Sequence, residues 1–189
     1  FMHTESKRLL PGWLILMAAL TAMGALSIDM YLPSFSFIAR DLGVESNTVQ
    51  LTLSTFLTGL AVGQMFYGPI SDRFGRKPPL YFGISLYVLS SLGCVLAPNI
   101  ETLVVLRFFQ GIGGSSGMMI PRAVVRDKMG AEGSARAFSM LMLVFGLAPI
   151  LAPFVGGLLL TFSTWRAIFV TLTAFGTLCL ICTCLLYTS

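Results

Sequence analysis

Charged residues cut this chain into long apolar runs. Residues 9–39 carry one charge, Asp29; 46–71 and 78–100 carry none; 102–121 carry Arg107 alone; 137–165 and 167–189 carry none. Each run can cross the ~30 Å hydrocarbon layer at about 1.5 Å per residue. Gly, Ala, Ser and Thr are scattered through all of them, as closely packed membrane helices require. Gly59 with Gly63, and Gly113 with Gly117, have the small-xxx-small spacing that is common in membrane helices generally. The pattern predicts an all-α membrane protein with six transmembrane helices, at about 9–39, 46–71, 78–100, 102–121, 137–161 and 166–187. Connections are expected to be short, with residues 72–79 the tightest and 122–136 the longest. No separate soluble domain is expected.

Composition removes the soluble alternatives. Charged residues are 11% of the chain, against ~25% in a typical soluble domain. Hydrophobic residues are 56% and Phe occurs 15 times in 189 residues, more apolar surface than one small globule can hide from water. The net charge of +4 would suggest an acidic partner in a soluble chain, but its distribution points elsewhere. With the N-terminus inside, Lys7, Arg8, Arg73, Arg76, Lys77, Arg122, Arg126, Lys128 and Arg136 fall on the cytoplasmic side, Arg40 and Arg166 outside, and Arg107 within the membrane. Nine against two fits the retention of Lys and Arg in cytoplasmic loops, so the basic balance reflects topology and no nucleic-acid partner is expected. A cleaved leader is a rival for the first run alone, yet no A-x-A site follows it and five more runs do. Four cysteines and the single His3 make neither a disulfide framework nor a metal site; Cys179 and Cys182 form a C-x-x-C within an apolar run and read as packing residues.

Two charges remain inside the membrane. Asp29 has 20 uncharged residues before it and 10 after it, which puts it in the outer half of the first helix; the alternative is an interfacial Asp ending that helix before Pro33. A carboxylate there must pair, face water or take up a proton. Arg107 lies six residues past Glu101, roughly 9 Å into the membrane, at a depth similar to that of Asp29. It either snorkels outward or lines a cavity with Gln110 and the glycines after it. The first and fourth helices each open a three-helix unit with one buried charge, the arrangement of a 3+3 inverted repeat around a midplane site.

Three motifs carry a family resemblance. Residues 68–77 read Gly68-Pro69-Ile70-Ser71-Asp72-Arg73-Phe74-Gly75-Arg76-Lys77, which matches the G-x-x-x-D-R-x-G-R-K signature of the major facilitator superfamily. Ile28-Asp29-Met30-Tyr31-Leu32-Pro33 resembles the drug:proton antiporter segment in which the Asp accepts protons, and Arg107-Phe108-Phe109-Gln110-Gly111 resembles the R-x-x-Q-G motif of helix four. The wording around Asp29, Gln64–Asp72 and Pro78 is most similar to the Bcr/CflA-type multidrug efflux transporters. The fifth-helix G-x-x-x-G-P-x-x-G-G motif departs from its pattern: Ala148 and Ala152 replace the leading glycines, while Pro149, Pro153, Gly156 and Gly157 keep a bent, closely packing helix.

The resemblance implies one six-helix half of a twelve-helix major facilitator fold, with the C-terminal half absent and expected as partner. It implies efflux of a small-molecule drug in exchange for protons across the bacterial inner membrane, multi-pass with a cytoplasmic N-terminus, the proton as coupling ion and no other cofactor. Asp29 and Arg107 would couple protons, Tyr31 and Gln110 would face substrate, and Gly68, Asp72, Arg73, Gly75, Arg76 and Lys77 would form a conformational latch. Phe1 before Met2, and an end at Ser189 without a basic segment, are expected marks of a fragment. An enzyme is not expected: Gly114-Ser115-Ser116-Gly117 has an intramembrane-protease form, but its base would have to be a membrane histidine, and His3 lies in the tail. The other rival is a six-helix channel or structural membrane protein without coupled transport.

Overall fold

The computed structural model describes residues 11–188, the side chains of 187 and 188 excepted. His3, Lys7, Arg8, the first two residues of the first predicted span and Ser189 lie outside the described residues. The described residues form α1 (Gly12–Asp29), a short 3-10 turn (Leu32–Ser34), α2 (Phe35–Leu42), α3 (Ser46–Phe74), α4 (Lys77–Leu96), α5 (Ile100–Phe162) and α6 (Arg166–Thr188). Five helices are long and apolar enough to cross a membrane, with α1 and α2 taken together.

Two predicted elements come out differently, each for a local backbone reason. The first span is broken: α1 stops at Asp29 and resumes as α2 after the 3-10 turn. Pro33 has no N–H, and in a continuous helix its ring would strike the carbonyl four residues back, that of Asp29. The fourth and fifth spans, predicted with 122–136 as a loop between them, run as one 63-residue helix interrupted only at Gly130. Straight, it would measure roughly 95 Å, several times the hydrocarbon thickness. Gly130 adopts φ 64° and ψ −170°, a left-handed conformation that glycine takes at little cost, and here the helix folds back. The return is visible along α1: Arg107 reaches the Ser27 carbonyl, Gly117 lies against Leu20, and Gly156 comes back to Met30. The two arms of α5 are therefore antiparallel.

The first arm of α5 is the hub of the bundle. A methyl group added at Gly111 would strike the Phe56 carbonyl of α3, one at Gly113 the backbone of Tyr87 in α4, and one at Gly117 the Leu20 carbonyl of α1 at 2.6 Å. Three helices thus approach one helix to backbone contact. Such closeness replaces hydrophobic driving force in lipid, where packing and polar contacts hold helices together. Around it Met17, Leu20, Met23, Phe56, Ile84 and Leu103 are fully buried. At the opposite end from Gly130, the Trp165 indole donates to Asp41 (2.9 Å), and Arg166 donates to the carbonyls of Val95 (2.6 Å) and Ala97 (2.9 Å). These bonds tie α2, α4 and α6 together and satisfy the last carbonyls of α4.

Candidate functional site

The polar chemistry gathers at two places. The first is enclosed. Arg107 lies about two turns into α5, which is capped by Asn99, whose side chain accepts from the Thr102 N–H at 2.9 Å. Arg107 is completely buried. Its guanidinium sits 4.3 Å from the ring centre of Tyr31, 4.3 Å from that of Phe56 and 5.8 Å from that of Phe169, cation–π distances from rings on α3, α6 and the turn after α1. It donates to the Gln110 side-chain oxygen at 2.6 Å and to the Ser27 carbonyl at 3.2 Å, while its Nε has no partner among the described residues.

The Ser27 contact follows from the broken helix. Because α1 stops at Asp29, its last carbonyls lose their helical partners. Arg107 satisfies one of them and places its charge at the negative end of the α1 dipole. The buried charge is thus balanced by a helix end and three aromatic faces rather than by a carboxylate. Polar bonds extend outward from it: Gln110 donates to Ser91 at 2.8 Å, Ser27 and Tyr87 share a 2.6 Å hydroxyl bond, and the Tyr31 hydroxyl bonds Thr52. Four helices meet in this network.

Asp29 stands at its edge, half-buried at the end of α1. Among the described residues it makes no ion pair, and the structure does not bring Arg107 into contact with it. Tyr31 and Gln110, expected to line a substrate cavity, are both fully buried; their polar groups are taken up by Thr52, Arg107 and Ser91 in this conformation.

The second place is exposed, at the Gly130 end. Gly75, with φ 91°, turns the chain between α3 and α4 and lets Arg76 swing back toward α5. Arg76 donates from Nη1 to Ser71 (2.6 Å) and Asp72 (2.8 Å) and from Nε to Asp127 (2.9 Å). The hydrogen bond to Asp127, helped by Asp72, holds the Arg76 guanidinium charged even above its ordinary range. Arg73 lies over the Phe74 ring at 5.3 Å, Lys77 opens α4, and Gly68 packs beneath Met119. Asp127 was not foreseen from sequence; the available signal was an acidic residue inside the basic stretch 122–136.

The fifth-helix motif forms a packing face. Ala148, Ala152 and Gly156, four residues apart, are buried, and Gly156 abuts the Met30 carbonyl where α1 breaks. Pro149 and Pro153 lie inside the helix on either side of this stripe, and Gly157 faces open space.

Comparison with known proteins identifies the frame. Residues 16–189 match the model of the Major Facilitator Superfamily. An uncharacterized MFS-type transporter, YdgK, of Bacillus subtilis (strain 168) is 47% identical over 92% of this chain and 43% of its own length. A bicyclomycin resistance protein homolog of Haemophilus influenzae is 37% identical over 88% of this chain and 42% of its own. Multidrug resistance protein D of Escherichia coli (strain K12) is 36% identical over 82% and 39%. The chain spans about two fifths of the length of these relatives.

Proposed function

Because the chain belongs to the Major Facilitator Superfamily, a family of transporters rather than enzymes, we propose that it is the N-terminal six-helix part of a proton-coupled drug exporter. It is a multi-pass membrane protein. In this proposal the two arms of α5 each cross the bilayer, giving six spans in a 3+3 arrangement with the N-terminus in the cytoplasm of a bacterial inner membrane. The relatives named for bicyclomycin and multidrug resistance support export of drugs or other small molecules.

The observation that carries the coupling is Asp29: a half-buried carboxylate, unpaired among the described residues, at the one place where the first span is broken. An intramembrane ionisable group marks an ion pathway by default. Asp29 takes a proton when the site faces outward and releases it when the site faces inward, and drug occupies the opposite phase. Arg107 sits next to the same helix end and sets how firmly Asp29 holds its proton as helix spacing changes. Tyr31 and Gln110 become available to substrate only when the packed network loosens. At the far end, Arg76 with Asp72 and Asp127 is the latch whose opening accompanies the switch.

The test is Asp29→Asn in a full-length transporter that carries this segment, with drug-induced proton release followed in everted vesicles. The amide keeps the shape but cannot carry the proton, so insertion survives and proton release is lost. Undiminished release sinks the coupling role. Drug flux that persists down its gradient without any proton dependence in the unaltered protein supports a channel instead.

A further inference from the structure

The break at Pro33 leaves α2 as a short helix fastened at both of its ends. At its start, Phe35 meets the Tyr31 ring edge-on with 5.2 Å between ring centres. At its finish, Asp41 accepts the Trp165 indole N–H at 2.9 Å. Both fastenings lead to the same place. Trp165 and Phe169 stand four apart at the start of α6, on one helix face, and their rings meet edge-on at 6.0 Å. Phe169 reaches the Tyr31 ring at 5.6 Å, and Tyr31 lies 4.3 Å from the Arg107 guanidinium. Trp165, Phe169 and Tyr31 are all buried. They form a column of rings from the end of the bundle opposite Gly130 to the buried cation, and α2 closes the circuit from Tyr31 back to Trp165.

The circuit has one weak link. Its ring contacts are dry, and parting them exposes apolar surface. Asp41 is exposed, so water can replace the indole N–H as its donor at small cost. With that bond open, α2 is free to swing on the turn at Pro33, and Tyr31 loses one of the two rings that fix it. We propose that Trp165 and Phe169 are positioning residues for Arg107, and that the bond from Trp165 to Asp41 is a clasp that holds the Arg107 network packed until substrate enters. The proposal rests on the exporter reading, in which Tyr31 and Gln110 meet substrate only once that network loosens. A clasp that favours the packed state lowers the apparent affinity by the fraction of molecules that are loosened. Removing it tightens drug binding while it slows exchange, because the return to the packed state loses support. Damage to a binding site does the opposite to affinity.

The test has two arms, and the first needs no drug. With Trp13→Phe, Trp165 is the single indole of this chain, and acrylamide quenching of the purified chain in detergent reads its accessibility. Arg107→Met is expected to raise that quenching through the column. Tyr87→Phe, which deletes the Ser27 bond and leaves the column intact, is expected to leave it unchanged. Quenching unmoved by Arg107→Met, or moved equally by Tyr87→Phe, overturns the positioning role. The second arm uses a full-length transporter that carries this segment, with radiolabelled bicyclomycin as the probe, and measures equilibrium binding and drug-induced proton release separately. Asp41→Ala is expected to bind the probe about fivefold more tightly, the size of one net hydrogen bond, and to exchange it more slowly. Asp41→Asn, whose side-chain oxygen still accepts from the indole, restores both. Trp165→Phe keeps the ring without the donor and matches Asp41→Ala, and the double variant changes nothing further. Weaker binding in Asp41→Ala, or no rescue by Asp41→Asn, overturns the clasp. Absence of probe binding in the unaltered transporter, or proton release that survives Asp29→Asn, sinks the exporter reading instead, and the quenching arm then decides the column by itself.

Discussion

Arg107 and Arg76 are the same side chain in opposite surroundings. Arg76 lies at the solvated end of the bundle with two carboxylates within 3 Å, Asp72 at 2.8 Å and Asp127 at 2.9 Å. Arg107 is sealed inside and, among the described residues, holds no carboxylate; a helix end, an amide oxygen and three rings stand in for one. Exposed pairs are screened by water and contribute little. A buried charge must be matched closely, since whatever is left unmatched costs the full desolvation. The comparison teaches where each arginine can act. Arg76 can exchange partners at small cost, whereas Arg107 can move only if α1, α3 and α6 move with it.

The sharpest way to break this comparison is to empty the buried site. Arg107→Ala removes a large buried side chain from among three rings and leaves the Gln110 side-chain oxygen and the Ser27 carbonyl without this donor, so a loss of about 3–5 kcal/mol is expected. Thermal unfolding in detergent measures it. Arg107→Met, of similar volume, leaves no cavity but orphans the same two acceptors, so a smaller loss of about 1–3 kcal/mol is expected. If both substitutions prove equally damaging, the charge rather than the volume holds the site together.

Next come two glycines, one near each arginine. Gly111→Ala drives a methyl group into the Phe56 carbonyl, a backbone atom that cannot turn aside, and should cost about 2–3 kcal/mol. Gly68→Ala meets only the Met119 methyl at 3.3 Å, the flexible end of a side chain, and should change stability by less than about 0.5 kcal/mol. Equal effects in the same unfolding assay would mean that the two ends are packed alike.

A single hydroxyl comes third. Tyr87→Phe keeps the ring and deletes the bond to Ser27, with an expected loss of about 1 kcal/mol. A negligible change would show that Ser27 is satisfied without Tyr87.

The smallest effect belongs to the exposed triad. Asp127→Asn or Arg76→Ala should cost under about 1 kcal/mol, and less in high salt, while slowing transport in the full-length protein with substrate binding preserved. The Arg76 pKa is raised by its partners, so its contribution is present at every pH below its ordinary range and fades only in stronger alkali. Stability attributable to Arg76 is therefore flat from mildly acid to mildly alkaline buffer. A steep change across that interval, absent in Arg76→Ala, would contradict the assignment.

What was legible beforehand was whatever depends on local composition. The apolar runs marked a multi-pass helical membrane protein because lipid allows only spans whose backbone bonds are internal. Asp29 and Arg107 stood out as charges inside such runs, and residues 68–77 marked the tight turn at Gly75. The break after Asp29 was also written locally, in Pro33, and entered only as the alternative. The helical passage through 122–129 was masked by charges that the hydropathy pattern reads as a loop, although at the end of a bundle they simply extend the helix into water.

What tertiary structure alone decided is which groups meet. Arg107 bonds the Ser27 carbonyl 80 residues away rather than pairing with Asp29, and Arg76 finds Asp127 51 residues on. No periodicity within a helix encodes such meetings. They follow from the fold-back at Gly130 and from the glycine contacts that draw α1, α3 and α4 onto the first arm of α5, because only close packing fixes which faces of separate helices touch.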